Sequence, residues 1–256
     1  MSRHAHGPRG SRAGAELVDC GPVSEAPTIT PPAGRSNPLL SLLGSLAMLA
    51  LDAALLAVGV GGAHALLHHP RAVGLLVVWA AGYGALAGLR RPRPRDAVAR
   101  RADQRFVLAT LVLVPLATPL LSAWAERAGL WPLPGGPALR WAGVALAGAG
   151  FLLRVLAIGR LGTRFSPLIE VQHGHALETG GAYAWMRHPG YTGACVANLG
   201  AILAFGSAAT LPLTLVMALA TGARVRREEA ALELAFGEEY RRYRERVGRY
   251  WPRPGR

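Results

Sequence analysis

The sequence predicts an all-α, polytopic membrane protein: four spans, then a helical hairpin, then an interfacial helix on the cytoplasmic face. Three observations carry this. Charged residues make up only 17% of the 256 residues, against roughly 25% in soluble domains, while 51% are hydrophobic. The charges are clustered, which leaves apolar runs of about the 20 residues that a helical span needs. The basic residues, all of them arginine, gather in the links between those runs.

Residues 1–38 are rich in Gly, Pro, Ser and Arg, show no apolar period, and read as a disordered head. A secretory signal would place its apolar core nearer the start. The first run covers residues 39–63 and is interrupted only by Asp52. Residues 72–89 form a shorter second span. Residues 106–125 form a third, uncharged throughout, with Pro115 and Pro119 as expected kinks. Residues 139–159 form a fourth, with Arg140 at one end and Arg154 within it. Between Tyr191 and Ala223 no residue is charged. That stretch is too long for one ordinary span and short for two, and Gly206, Ser207 and Pro212 are placed to break it into a hairpin.

Beyond Ala223 the chain turns polar. Leu232, Phe236, Tyr240, Tyr243 and Val247 recur at steps of three and four, which draws one apolar stripe along a helix. Arginines and glutamates fill its other faces, and Gly248 and Pro252 end it. Such a helix is expected to lie in the membrane interface.

Orientation follows from charge. The link between spans two and three carries Arg90, Arg91, Arg93, Arg95, Arg100, Arg101 and Arg105, whereas residues 64–71 and 126–138 carry one arginine each. The rich link is therefore expected to be cytoplasmic. Four spans and a hairpin then place both termini, and residues 160–189, on that same face.

The formal net charge of +13 does not point to nucleic acid, because the arginines flank apolar spans where anionic lipid attracts them. Two cysteines, Cys20 and Cys195, give no disulfide framework and no CxxC motif. His173 and His175 lack a third ligand at suitable spacing, so no metal is expected. An ionisable Asp52 at mid-span needs a partner, and Arg154 is a candidate for a structural pairing. His68, His69 and Pro70 read as an external turn.

Residues 160–193 differ from the rest. They are dense in His, Gly, Tyr and Glu and lie between spans. Backbone near Gly174, Gly180 and Gly181 can approach a ligand closely, and Tyr183, Trp185 and Tyr191 offer flat faces for a purine or a cation. A second polar cluster follows the hairpin: Arg224, Arg226, Arg227, Glu228 and Glu229. A hairpin brings its two ends together, so RHPGY and RVRREE are expected to be neighbours.

These residues carry a resemblance. HALETGGAYAWMRHPGYTG from His175 to Gly193, followed after the hairpin by RREEAALELAFGEEYRRYRERV, resembles the isoprenylcysteine carboxyl methyltransferase family, within a wider group that includes phospholipid N-methyltransferases. It covers residues 159–252 and rests on three blocks in order: RHPxY, a Glu pair, and FGEEYxxY. The resemblance implies that residues 160–256 form a cofactor-binding catalytic region behind the spans of residues 39–159. It implies S-adenosylmethionine as cofactor, held by Gln172, His175, Ala176, Leu177, Glu178, Tyr183, His188, Pro189, Gly190, Tyr191 and Glu229. It implies Arg224 and Glu228 at the methyl acceptor. Glu178 and Gly180 depart from the family's usual pattern. The implied partners are a lipophilic small molecule or lipid and the membrane itself, with no nucleic acid and no obligatory protein partner.

The chemistry fits those residue types. A sulfonium favours aromatic faces and nearby carboxylates. A carboxylate acceptor is already nucleophilic and needs a guanidinium fork to hold it, which Arg224 supplies. Glu228 lies one helical turn from Arg224 and is placed to orient it. An amine acceptor would need a base, and Glu228 or Glu229 would have that task. A second class is an NADPH-dependent oxidoreductase like the membrane sterol reductases, which share an RHPNY-like block. The Glu pair and the HALETGGAY run favour the methyl-donor branch. A non-catalytic scaffold would not require His188, Tyr191 and Glu229 together.

Overall fold

The computed structural model describes residues 37–89, 105–162 and 177–253. The head, the arginine-rich link and residues 163–176 lie outside the described residues.

Among the described residues, seven α-helices follow in order: α1 (Pro38–Val60), α2 (Ala63–Leu67), α3 (Pro70–Gly88), α4 (Arg105–Arg127), α5 (Gly136–Leu161), α6 (Pro189–Phe205) and α7 (Leu211–Arg246). Five of them, α1, α3, α4, α5 and α7, are long and apolar enough to cross a membrane, and α6 is a shorter apolar helix of 17 residues. The four expected spans are α1, α3, α4 and α5: α4 and α5 run a few residues past the expected bounds, whereas α1 starts one residue earlier and ends three residues sooner, and α3 starts two residues earlier and ends one sooner.

Local chemistry sets the boundaries. Asn37 caps α1 by accepting the Leu39 N–H at 3.0 Å, Pro38 fills the first turn, and Gly61 at φ 103° ends it. His69, expected in a turn, is the cap of α3: its ring accepts the Ala72 N–H at 3.2 Å ahead of Pro70. Pro115 and Pro119 both lie inside α4, where the buried Thr118 hydroxyl donates to the Val114 carbonyl. Gly206, in the left-handed region at φ 65°, ends α6 and turns the chain back. Ser207 accepts the Ala209 N–H, and Pro212 sits in the first turn of α7. The hairpin expected from length and charge is therefore present.

The centre of the fold is the α5–α6 pair, which runs backbone against backbone. A Cβ placed on Gly143 would lie 2.4 Å from the Ala204 nitrogen. One on Gly150 would lie 2.4 Å from the Ala197 nitrogen, and one on Gly200 would lie 2.3 Å from the Ala147 nitrogen. In lipid there is no hydrophobic drive between helices, so such close packing of small residues is what holds them. At the end of the bundle away from residues 177–190, Glu126 accepts from Arg71 at 2.8 Å and lies 3.3 Å from His69 and 3.6 Å from Arg140. That cluster ties α3, α4 and α5 together, and Arg71 adds a bond to the Ala204 carbonyl of α6.

Asp52, which needs a partner at mid-span, accepts the Tyr83 hydroxyl at 2.7 Å, and Arg154 donates to the Gly190 carbonyl at 3.1 Å. One expectation needs revision. The charged helix is not a separate element starting at Ala223. It continues the second limb of the hairpin as α7, and the helical geometry breaks instead at Gly237 (φ 51°, ψ −121°). Its stripe is as expected in membership, but Tyr240, Tyr243 and Val247 are buried against Leu177, Leu232 and Phe236 of the protein itself.

Candidate functional site

Pro189 opens α6 and keeps His188 ahead of it out of helical geometry, at φ −128° and ψ 56°. In that conformation the Arg187 N–H donates to the Gly248 carbonyl at 2.8 Å and the His188 N–H to the Arg249 carbonyl at 3.1 Å. The Thr192 hydroxyl donates to the Tyr250 carbonyl. The chain after α7 is thereby laid along the RHPGY block. The Tyr243 hydroxyl donates to the Tyr183 carbonyl at 2.7 Å and fixes the short 3-10 turn Gly181–Ala184 in the same way.

Two side-chain clusters result. In the first, Glu229 is the hub. Its Oε1 accepts from Arg187 Nε and Nη2 at 3.0 and 2.8 Å and lies 3.2 Å from His188 Nε2, while its Oε2 accepts from Arg249 at 2.5 Å. Arg187 also donates to the Arg244 and Val247 carbonyls. Burial alone would raise the Glu229 carboxyl's pKa. The bonds from His188, Arg249 and Arg187, with the Arg187 charge, outweigh it and hold the group well below the usual carboxylate range.

In the second cluster, Tyr191 is the hub. Its hydroxyl donates to Glu228 Oε2 at 2.8 Å and accepts from Arg224 Nε. Glu228 was expected to orient Arg224 from one turn away, and the Tyr191 phenol joins the two. His188 connects the clusters, with Nδ1 3.9 Å from Glu228 Oε1. The two glutamates differ in access. The Glu229 side chain is 6% exposed and the Glu228 side chain 30%, so only Glu228 is open to a ligand. Tyr183 is half-buried beside them, and burial followed by the Glu228 charge pushes its phenol upward.

Tyr191 also faces inward. It lines a cavity of about 650 Å³ that runs between α1, α3, α4, α5, α6 and α7. The cavity is mostly apolar, with Asp52, Tyr83, Arg154 and Asn198 among its walls. Tyr191 therefore stands where an intramembrane cavity meets the Arg224–Glu228 pair.

Of the other expected site residues, Leu177 turns its side chain into the Tyr240–Tyr243 core. Glu178 accepts the Gly180 N–H at 2.9 Å and Arg160 Nε at 3.3 Å, which is a local turn. Pro189 is buried and Gly190 lends its carbonyl to Arg154. Gln172, His175 and Ala176 lie outside the described residues. Sequence reading missed Arg249, which belongs to no motif and reaches Glu229 only because the tail folds back. Arg187 stood inside RHPGY, and the invitation to pair it with Glu229 was the hairpin itself. Among the described residues no group of three His, Cys, Asp or Glu side chains could hold a metal ion.

Residues 143–234 match the sequence profile of the isoprenylcysteine carboxyl methyltransferase (ICMT) family. A protein-S-isoprenylcysteine O-methyltransferase of Schizosaccharomyces pombe is 36% identical over 101 residues, which are 38% of this chain and 43% of that one. A probable enzyme of the same name from Oryza sativa subsp. indica is 32% identical over 110 residues, 42% of this chain and 58% of that one. The match thus spans about half the length of these relatives. The solved structure of a eukaryotic intramembrane Ras methyltransferase, isoprenylcysteine carboxyl methyltransferase, superposes with a TM-score of 0.53 at 22% identity, covering 83% of this chain and 76% of that one. The likeness extends over the spans, which establishes the multi-pass membrane fold.

Proposed function

We propose that this chain, similar to that family over residues 143–234, is an integral membrane methyltransferase. It takes a methyl group from S-adenosylmethionine and delivers it to a carboxylate of a lipophilic, isoprenylcysteine-like acceptor. The observation that carries this reading is the Tyr191 hydroxyl, which ties Arg224 to Glu228 at the end of an intramembrane cavity.

The residues present suit the cofactor. A sulfonium needs a flat apolar face and negative charge, and Tyr191 with the open Glu228 supplies both. In this reading the backbone at Leu177, Glu178 and Gly190 and the Tyr183 ring take up the nucleoside and amino-acid parts, and the resemblance adds Gln172, His175 and Ala176, which lie outside the described residues. When bound, the cofactor supplies an already activated methyl group. The protein's work is then positioning. Arg224 holds the acceptor carboxylate through its guanidinium, and Tyr191 and Glu228 keep that fork from turning. His188 and the sealed Glu229 hold the RHPGY block against α7, so they act through the residues they fix. The cavity takes the apolar body of the acceptor. The arginine-rich link between the second and third spans supports a cytoplasmic placement of this site and of both termini.

Calorimetry on the detergent-solubilised chain tests the cofactor, with S-adenosylmethionine expected to bind. Binding of NADPH alone would establish an oxidoreductase instead. Transfer of labelled methyl to N-acetyl-S-farnesylcysteine tests the acceptor. Transfer to phosphatidylethanolamine, with none to the farnesylcysteine, would assign the amine branch and make Glu228 the base.

A further inference from the structure

The cavity is not lined as a plain hydrocarbon channel would be. Asn198 of α6 lies on its wall and is only 5% exposed. Its Nδ2 donates to the Thr214 hydroxyl at 3.3 Å, and its Oδ1 has no hydrogen-bond partner among the described residues. Turning the amide over does not remove the problem. Thr214 then serves Oδ1, and the amide N–H groups are left without a described partner. A buried amide end without a partner is a standing cost. Across the same cavity Asp52, 3% exposed, is bonded to the Tyr83 hydroxyl. Two polar groups at span depth, on α1 and α6, are an expensive lining for a site that meets only isoprene or acyl chain.

We propose that Asn198 is a specificity-determining residue that binds a hydroxyl carried within the apolar body of the acceptor. This rests on the reading that the cavity takes the acceptor. A hydroxyl is the group that fits either setting of the amide, because it donates to Oδ1 or accepts from Nδ2. It is also neutral and small enough to be carried on a lipid chain into the bilayer. The acceptor class is accordingly an amphiphile with its reacting carboxylate at Tyr191 and Arg224 and a hydroxyl part-way along its tail. Selection works through the penalty: an unsubstituted tail leaves the Asn198 amide unpaired, and a hydroxylated one satisfies it.

The test uses N-acetyl-S-farnesylcysteine and the same molecule carrying a hydroxyl on its second isoprene unit. Displacement of a fluorescent lipid from the solubilised full chain reads binding whether or not methyl is transferred. The wild type is expected to bind the hydroxylated probe at least ten-fold more tightly. Asn198→Leu is expected to erase that preference and to bind the plain probe as well as the wild type or better. Equal binding of the two probes to the wild type overturns the proposal and leaves a water to serve the amide. A preference that survives in Asn198→Leu overturns it as well. Should that variant not fold, Asn198→Ala takes its place, and the wild-type comparison alone remains decisive. Loss of S-adenosylmethionine binding with the preference intact would remove the methyltransferase reading and leave this one standing.

Discussion

Arg187 grips a single oxygen of Glu229 with two donors, Nε at 3.0 Å and Nη2 at 2.8 Å, and both side chains are 6% exposed. Removing either partner leaves a buried charge behind, a loss of about 3–5 kcal/mol for such pairs. Glu229→Ala is therefore expected to lower the melting temperature and to abolish cofactor binding through collapse of the RHPGY block. Glu229 also sets an acid limit. Its carboxyl is held below the ordinary range, so its contribution is complete above the unfolded carboxylate pKa of about 4.3 and is lost as pH falls through the lowered folded value. The melting temperature of the wild type should start to fall below about pH 5 and keep falling through pH 3 toward the lowered folded value, and Glu229→Gln should show a lower but flatter profile. Parallel profiles in the two proteins would remove Glu229 as the hub.

Tyr191→Phe separates two roles of one side chain. The ring remains for the cofactor, and the hydroxyl that joins Arg224 to Glu228 is lost. Acceptor kcat/KM is expected to fall about 10- to 100-fold, in line with about 1.5–3 kcal/mol for a bond to a charged group. The Kd for S-adenosylmethionine should change little. Arg224→Lys should behave alike, since an ammonium keeps the charge and loses the fork. Equal losses in cofactor affinity and acceptor use would place the phenol at the cofactor instead.

How far the sequence could be read depended on whether a feature was local. Spans, caps and the hairpin follow from composition and from residues such as Pro38, Gly206 and Pro212, each acting on its immediate neighbours. The meeting of His188 with Glu229 was legible because a hairpin forces its ends together. Arg249 was not, because its place depends on Gly248 and Arg249 carbonyls accepting the Arg187 and His188 N–H groups, a pairing without a pattern in the chain. The part Tyr191 plays between Arg224 and Glu228 was hidden for a related reason. Helical spacing says that the two share a face, and it cannot show that a phenol from another helix bonds both. That Asp52 needs a partner followed from its place at mid-span; that Tyr83 on α3 donates to it did not, because no spacing rule links α1 to α3.

The α5–α6 contact gives a steric prediction with its own control. At Gly150 a methyl group would sit 2.4 Å from the Ala197 nitrogen and 2.6 Å from the Gly193 carbonyl oxygen, both backbone atoms that cannot swing away. At Gly148, two residues earlier on the same helix, it would sit 3.6 Å from Val78, an ordinary contact. Gly150→Ala is expected to destabilise by about 1–3 kcal/mol or more as the helices are forced apart. Gly148→Ala should be neutral or mildly stabilising, because alanine is the better helix former. Melting curves in one detergent decide it, and equal behaviour of the two variants would refute the backbone-to-backbone packing.

Gly237 offers a test in which the sign itself is informative. If α7 were one straight helix, Gly237→Ala would stabilise it by about 0.8–1 kcal/mol, the ordinary gain in helix propensity. The residue instead has φ 51° and ψ −121°, a conformation open to glycine and strained for any residue with a Cβ. Nothing lies within 4 Å of the added methyl group, so the penalty is one of backbone alone, about 1–3 kcal/mol. The break matters because everything beyond it, the Tyr240–Val247 stripe and the tail with Arg249, must turn back onto Leu177 and Glu229. Gly237→Ala is therefore expected to speed limited proteolysis after residue 237 and to weaken S-adenosylmethionine binding, while the melting of the spans changes little. Slower proteolysis with unchanged binding would mean that the helix runs straight through.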